Sequence, residues 1–256
     1  MFTTNPFAVL VTYLSPAVMQ GYVILMILTV AIGTGYDLLR DGKARFFLQD
    51  RQRAKRAAKR RLGTSDLSGL AVKTLLTDIA TFGEFCNLRR RISHIFMFYG
   101  FMLYLLSSVV MVFAYSADSH PPAVLPLLWN LGVVMALIGG YWFFFFLRVN
   151  VVHDGQPPWR LVRADLFIVM LLASLSFALL FAWMAPAGDS MAVRVFAGCY
   201  LLFTTLLFVS VPWSKFPHMF YKPIVAFQRR VEMADGSADL PTPSTPGGER
   251  CPHSHT

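Results

Sequence analysis

The chain has 256 residues, of which 55% are hydrophobic, 14% aromatic and only 14% charged, with a mean hydropathy of +0.53. Soluble domains carry about 25% charged residues, so this composition excludes an ordinary soluble globular protein and points to an integral membrane protein. The formal net charge is nevertheless +9, and the placement of those positive residues decides the topology.

A bilayer-spanning helix needs about 20 mostly apolar residues. Five segments qualify, at about 17–38, 93–115, 123–147, 164–186 and 191–213. None has a Lys or Arg in its middle; Asp37 and Asp165 lie at ends, and Arg194 is near the start of the fifth. Residues 7–14 are apolar but too short to span. The N-terminus lacks a basic n-region, so the first span is expected to remain as an anchor and not to be cleaved as a signal peptide.

The basic residues are sorted. Fourteen lie between Leu39 and Ser93, three lie between the third and fourth spans, and five follow the fifth, leaving only Arg194 near the other side. Positive loops face the cytoplasm. The expected fold is therefore an all-α, five-helix transmembrane bundle, N-out and C-in, with a basic cytoplasmic loop at 39–92. The membrane domain is expected over residues 1–230 and a disordered, Pro/Ser/Gly-rich tail over 231–256. Within the loop, residues 44–62 read as a basic helix of good helix formers. Leu67, Leu70, Ala71, Leu75, Ile79, Phe82 and Phe85 recur at helical spacing, which suggests an amphipathic helix on the membrane surface.

Three cysteines, Cys86, Cys199 and Cys251, are far apart and form no Cys-x-x-Cys. A disulfide framework, a four-cysteine zinc site and a Cys-ligated iron–sulfur cluster within this chain are excluded. No phosphate loop, Ser/His/Asp set or His-Glu-x-x-His is present, and paired carboxylates inside the spans are absent. A proton-coupled transporter, which needs ionisable groups at membrane depth, is disfavoured.

Of the six histidines, His253 and His255 fall in the tail, and His120 and His153 fall in short connections. His94 opens the second span in RRISHIFMFYGF, and His218 follows the fifth in VPWSKFPHMFYKP. The topology puts both at the cytoplasmic edge. Two imidazoles at one depth on different helices can ligate one haem iron from opposite faces; two interfacial histidines meeting headgroups or backbone carbonyls fit the same spacing. Phe96, Phe98, Tyr99, Phe101, Tyr104 and the Phe143–Phe146 run suit cofactor contact and bundle packing equally. In WNLGVVMALIGG, Gly132, Gly139 and Gly140 are expected to permit close helix contact, and Asn130 needs a hydrogen-bond partner.

Together FGEFCNLRRRISHIFMFYGF, WNLGVVMALIGG and WSKFPHMFYKP resemble segments of the membrane cytochrome b family. That family includes the gamma subunit of respiratory nitrate reductase and the haem-bearing membrane subunit of the quinone-interacting oxidoreductase. The resemblance covers about residues 17–230, and in its short stand-alone form the chain is similar to the membrane anchors of adenylylsulfate reductase. It implies a subunit of the bacterial cytoplasmic membrane that exchanges electrons between a cytoplasmic iron–sulfur flavoenzyme and quinone. It also implies haem b axial ligation at His94 and His218, which match the cytoplasm-proximal ligand pair of the family. Tyr104 and Tyr200 stand where the distal pair would be, so the resemblance supports one haem, or a haem-free anchor that docks a soluble enzyme. Lys55, Arg56, Lys59, Arg60 and Arg61 are the expected docking cluster for an acidic partner, with attraction to anionic lipid as a second use of the same charge. Nucleic acid is not an expected partner.

Overall fold

The structure is a computed structural model. It describes residues 4–40, 43–81, 87–115, 121–148, 155, 157, 159–162, 165–188, 190–211 and 218–238. Among these residues all regular structure is helical and no strand occurs. Two 3₁₀ turns, Pro6–Ala8 and Leu10–Thr12, precede α1 (Pro16–Arg40), α2 (Lys43–Ala57) and α3 (Thr64–Thr74), which continues as a π-helical segment, Leu75–Ala80. Then come α4 (Leu88–Ala114) and α5 (Val124–Trp142), the latter extended by a second π segment, Phe143–Leu147. The chain continues through α6 (Leu166–Met184), a 3₁₀ turn at Ala185–Ala187, α7 (Met191–Val209) and α8 (His218–Asp235).

Among the described residues five helices are long and apolar enough to cross a membrane: Pro16–Leu39, Leu88–Ala114, Val124–Leu147, Leu166–Met184 and Met191–Val209. By length and composition the chain is a multi-pass membrane protein. The second begins earlier than its apolar run, because Asn87 caps it: its Oδ1 accepts the backbone N–H groups of Arg89 (2.9 Å) and Arg90 (3.4 Å). Those first turns hold three arginines that hydropathy alone leaves outside the span. α6 and α7, 19 residues each, rise about 28 Å at about 1.5 Å per residue, close to the thickness of a bilayer core. Between them Gly188, at φ +75°, makes the reversal, and the Ser190 hydroxyl caps α7 by accepting from Val193 N–H.

The chain divides into two compact units, Met1–Gly33 with Ile92–Lys215, and Thr34–Arg91 with Phe216–Thr256. In the first unit Trp129, Val133, Ala136, Leu175, Ala178, Phe181 and Val193 are fully buried. In lipid, helices gain little by burying apolar surface from one another, and close packing with hydrogen bonds holds them. That is the pattern here. A seam of small residues joins α4 to α5: a Cβ added to Gly100 would lie 2.4 Å from Ala136 N, and one added to Gly132 would lie 2.5 Å from Tyr104 N. Gly139 meets the backbone of Ser93 and Met97 in the same way, while Gly140 lies against Leu172 of α6. Asn130 donates to the carbonyl of Pro126 in its own helix. α6 and α7 meet through a Ser174–Thr204 hydroxyl pair at 2.7 Å and a Phe177–Phe203 stack at 5.3 Å. The Tyr22 hydroxyl ties α1 to α7 through Leu201 O and Thr205 Oγ1. Outward positions on α1, such as Leu25, Ile32 and Leu39, are large, apolar and exposed, as lipid-facing residues are.

In the second unit α3 and its π segment pack on α8. Leu67, Leu70, Thr74 and Thr77 recur at helical spacing along the covered side of α3, whereas Ala71, Val72 and Leu75 are exposed. Arg230 of α8 donates to Thr77 Oγ1 at 2.6 Å, and Gln228 Nε2 donates to Asp50 Oδ2 of α2 at 3.3 Å. At the C-terminus of α8, Gly236 adopts φ +78°, the left-handed conformation that commonly ends a helix. The carbonyl of Asp235 there accepts the N–H groups of Lys59 (2.9 Å) and Arg60 (3.1 Å). Both helices expected within the connection 39–92 are present among its described residues, as α2 and as α3 with its π segment, and they belong to one unit with α8. Residues 231–235, expected in the tail, are the last turn of α8. The rest of the tail, 239–256, lies outside the described residues.

Candidate functional site

His94 sits in the second turn of α4. Its neighbour Ser93 is fully buried and donates to Gly139 O of α5 at 2.8 Å, a contact possible only because Gly139 has no side chain. This bond fixes the turn that carries His94. The imidazole is half-buried and packs against the Phe143 ring, with centroids 5.1 Å apart and planes inclined by 52°. Phe143 opens the π segment at the end of α5. A π segment adds a residue to the turn and re-aims the side chains beyond it. The four phenylalanines therefore do different things: Phe143 meets His94, Phe144 is buried, and Phe145 and Phe146 are exposed.

His218 is the first residue of α8, in the second unit, and its side chain lies outside the described residues. His120, His153, His253, His255, Cys86, Cys251, Phe82 and Phe85 also lie outside them. Among the described residues no cluster of three or more His, Cys, Asp or Glu could hold a metal ion.

Tyr104 and Tyr200, 96 positions apart in sequence, donate and accept a direct hydroxyl–hydroxyl hydrogen bond of 2.7 Å. Both are buried. The Trp129 ring lies 5.7 Å from that of Tyr104, and the Phe181 ring stacks on Tyr200 at 6.2 Å. A buried phenol needs a partner, since an orphaned hydroxyl costs about 1–3 kcal/mol. Each tyrosine supplies the other's. Beside them the Thr204 hydroxyl donates to Tyr200 O and meets Ser174, and Trp129 Nε1 donates to Ser108. The centre of the bundle is thus a satisfied polar layer within apolar walls.

The basic cluster lies where α2 ends. Lys55, Arg56, Lys59, Arg60 and Arg61 are all exposed, and the bend that carries the last three is tied to the C-terminus of α8 by the Lys59 and Arg60 amides. Arg60 approaches Asp66 at 3.8 Å with both side chains largely in solvent, a geometry worth little. The cluster therefore keeps its charge available.

One pair escaped the sequence reading. Arg148 and Asp165 form a buried ion pair at 2.6 Å, with side chains 4% and 10% exposed. Asp165 also accepts from Val162 N–H, and Arg148 donates to Arg160 O while its guanidinium lies 4.5 Å over the Phe144 ring. The available signal was an Arg directly after one apolar run and an Asp directly before the next. No family model, curated protein or solved structure compared with the chain matches it.

Proposed function

We propose that the chain is an N-out, C-in membrane subunit of a respiratory redox complex in a bacterial cytoplasmic membrane. It exchanges electrons between a cytoplasmic iron–sulfur flavoenzyme, such as adenylylsulfate reductase, and the quinone pool, through one haem b. The observation that carries this reading is the Tyr104–Tyr200 contact. The family resemblance pairs these two positions on different helices, and the fold brings their side chains together. The same contact argues for a single haem, because phenol oxygens 2.7 Å apart leave no room for a macrocycle between them.

His94 fits the remaining position. It offers an imidazole nitrogen, the usual donor to haem iron, from a spanning helix and beside an aromatic ring. His218 is proposed as the opposite ligand. Haem bound there would supply a one-electron relay between partner and quinone. The protein's own contribution is positional: Ser93 anchors the turn to α5, Phe143 orients the imidazole, and the basic cluster receives the partner. The expected result is a b-type band in the reduced-minus-oxidised spectrum of the purified chain, absent from both His94→Ala and His218→Ala. A band that survives both substitutions would overturn the ligand assignment.

A second reading is favoured by one observation, the solvent exposure of Lys55, Arg56, Lys59, Arg60 and Arg61. In it the chain is a haem-free anchor that docks a soluble oxidoreductase by charge. Charges at an interface rim govern association rate and salt dependence. Glutamate at all five positions is then expected to release the partner from membranes at low salt, as a high-salt wash does for the wild type. Retention of the partner under both conditions would reject electrostatic docking.

A further inference from the structure

We propose that residues 5–14 form a reversible plug at one end of the first unit, with Phe7 as its stopper, and that its withdrawal opens the bundle toward the Tyr104–Tyr200 layer. The segment precedes α1 as two three-residue 3₁₀ turns, Pro6–Ala8 and Leu10–Thr12. Its main chain hydrogen-bonds within the segment. Phe7 N–H donates to Asn5 Oδ1 at 3.0 Å, Ala8 N–H to Asn5 O at 3.2 Å and Leu14 N–H to Leu10 O at 2.8 Å. These bonds survive if the segment moves as a piece, so none of those donors is orphaned. Side chains hold it to the bundle. Pro6, Phe7 and Leu10 are buried, whereas Ala8, Thr12 and Tyr13 are exposed.

The buried side chains close a way in. The Phe7 ring stands edge-on to the fully buried Trp129, with centroids 6.0 Å apart and planes at 84°. Trp129 in turn packs on Tyr104, which is bonded to Tyr200. Phe7 is therefore the first member of a chain of contacts that ends in the polar layer. A cleft lined by Asn5, Phe7, Val11, Met19, Met111 and Tyr115 runs beside the segment. The plug is not close-packed on that side, and the atoms there lack part of their dispersion contacts. A pivot is present at Ser15, whose Oγ accepts from Val18 N–H at 3.4 Å, with Pro16 opening α1 behind it. α1 has ties of its own, Gln20 Nε2 to Val112 O of α4 and Tyr22 to α7, so the plug can swing while α1 stays. Arg194, at the start of α7, lies 5.6 Å over the Tyr13 ring, and both are exposed. Exposed cation–π contacts are weak; this one biases the plug toward closure without locking it.

The test uses the full chain in nanodiscs, with Cys86→Ser, Cys199→Ser and Cys251→Ser as background. A single cysteine is placed at Met111→Cys, 1% exposed beside the plug, at Ala178→Cys, fully buried in α6, or at the exposed Thr12→Cys. Small and bulky water-soluble methanethiosulfonate reagents are added in excess. Met111→Cys is expected to react far more slowly than Thr12→Cys but to completion, with the same slowing for both reagents, and Ala178→Cys is expected not to react. Phe7→Ala with Leu10→Ala is expected to accelerate Met111→Cys by more than about tenfold, because less apolar surface must be withdrawn. Arg194→Gln is expected to accelerate it about two- to fivefold. Failure of Met111→Cys to react at all would show a permanent seal and overturn the proposal. So would reaction with the small reagent alone, which a static cleft explains, or a rate unchanged by Phe7→Ala with Leu10→Ala. Equal acceleration at Ala178→Cys would also reject it, since the whole bundle, and not the plug, would then have loosened.

Discussion

Gly132→Ala is expected to separate α4 from α5 and to destabilise the bundle by about 3 kcal/mol, the upper end of what overpacking costs. The added Cβ would lie 2.5 Å from Tyr104 N and 2.7 Å from Gly100 O. Both are main-chain atoms of a helix, so neither can swing aside as a side-chain tip would. The helices must move apart, and the Ser93–Gly139 and Trp129–Ser108 hydrogen bonds stretch with them. Alanine's better helix propensity, about 1 kcal/mol over glycine, offsets only part of this. Gly198→Ala in α7 is the matched control, because a Cβ there meets nothing within 4 Å; it is expected to be neutral or slightly stabilising. Unfolding by titration with a denaturing detergent measures both. Equal midpoints for the two variants would show that the seam is not as tight as the geometry makes it.

This seam also shows how far the sequence could be read. WNLGVVMALIGG announced close contact, because glycines within an apolar span have few other uses. The partner surface did not announce itself. Gly100 is a single glycine within an aromatic stretch, and it is as tightly opposed as Gly132. A hydropathy pattern fixes that a helix spans but not its rotation. Rotation decides that Phe101 and Tyr104 face the core while Tyr99 faces out. The Tyr104–Tyr200 contact was invisible for the same reason: two helices must be placed and turned before two hydroxyls can meet.

Outside the spans the sequence reading was coarser. The basic and amphipathic helices of 39–92 were legible from composition and spacing, because surface helices keep a 3.6-residue period. Their packing was not. Leu67, Leu70, Ala71 and Leu75 read as one stripe, but the structure covers Leu67 and Leu70 and exposes Ala71 and Leu75. α8 escaped notice because Pro223 lies inside it, and proline removes a helix donor and reads as a break. In α8 it stands in the second turn, close enough to the start for the lost bond to be tolerated.

Asp165→Ala is expected to be as damaging as any substitution in the chain, at about 3–5 kcal/mol, because it leaves a buried guanidinium without its charge partner. Arg148 and Asp165 end one apolar run and begin the next, and at 2.6 Å their bond joins the exit of α5 to the entrance of α6. Arg148→Ala strands the carboxylate instead, with Val162 N–H as a remaining donor, so its cost is expected to be somewhat smaller. The pair itself need not be net stabilising, since desolvation consumes much of the Coulombic gain. The informative variant is therefore the double substitution Arg148→Met with Asp165→Leu, which removes both charges and keeps the volume. It is expected to recover most of the loss seen in Asp165→Ala. A double variant as unstable as the sum of the two alanine variants would show that the sites are uncoupled and that the ion pair is not what holds the turn. The consequence reaches His94. Arg148 lies over Phe144, and the adjacent Phe143 is the ring against His94. Releasing Arg148 frees the π segment that places that ring. On the single-haem reading, Asp165→Ala is then expected to broaden or shift the b-type band, and the uncharged double variant to restore it.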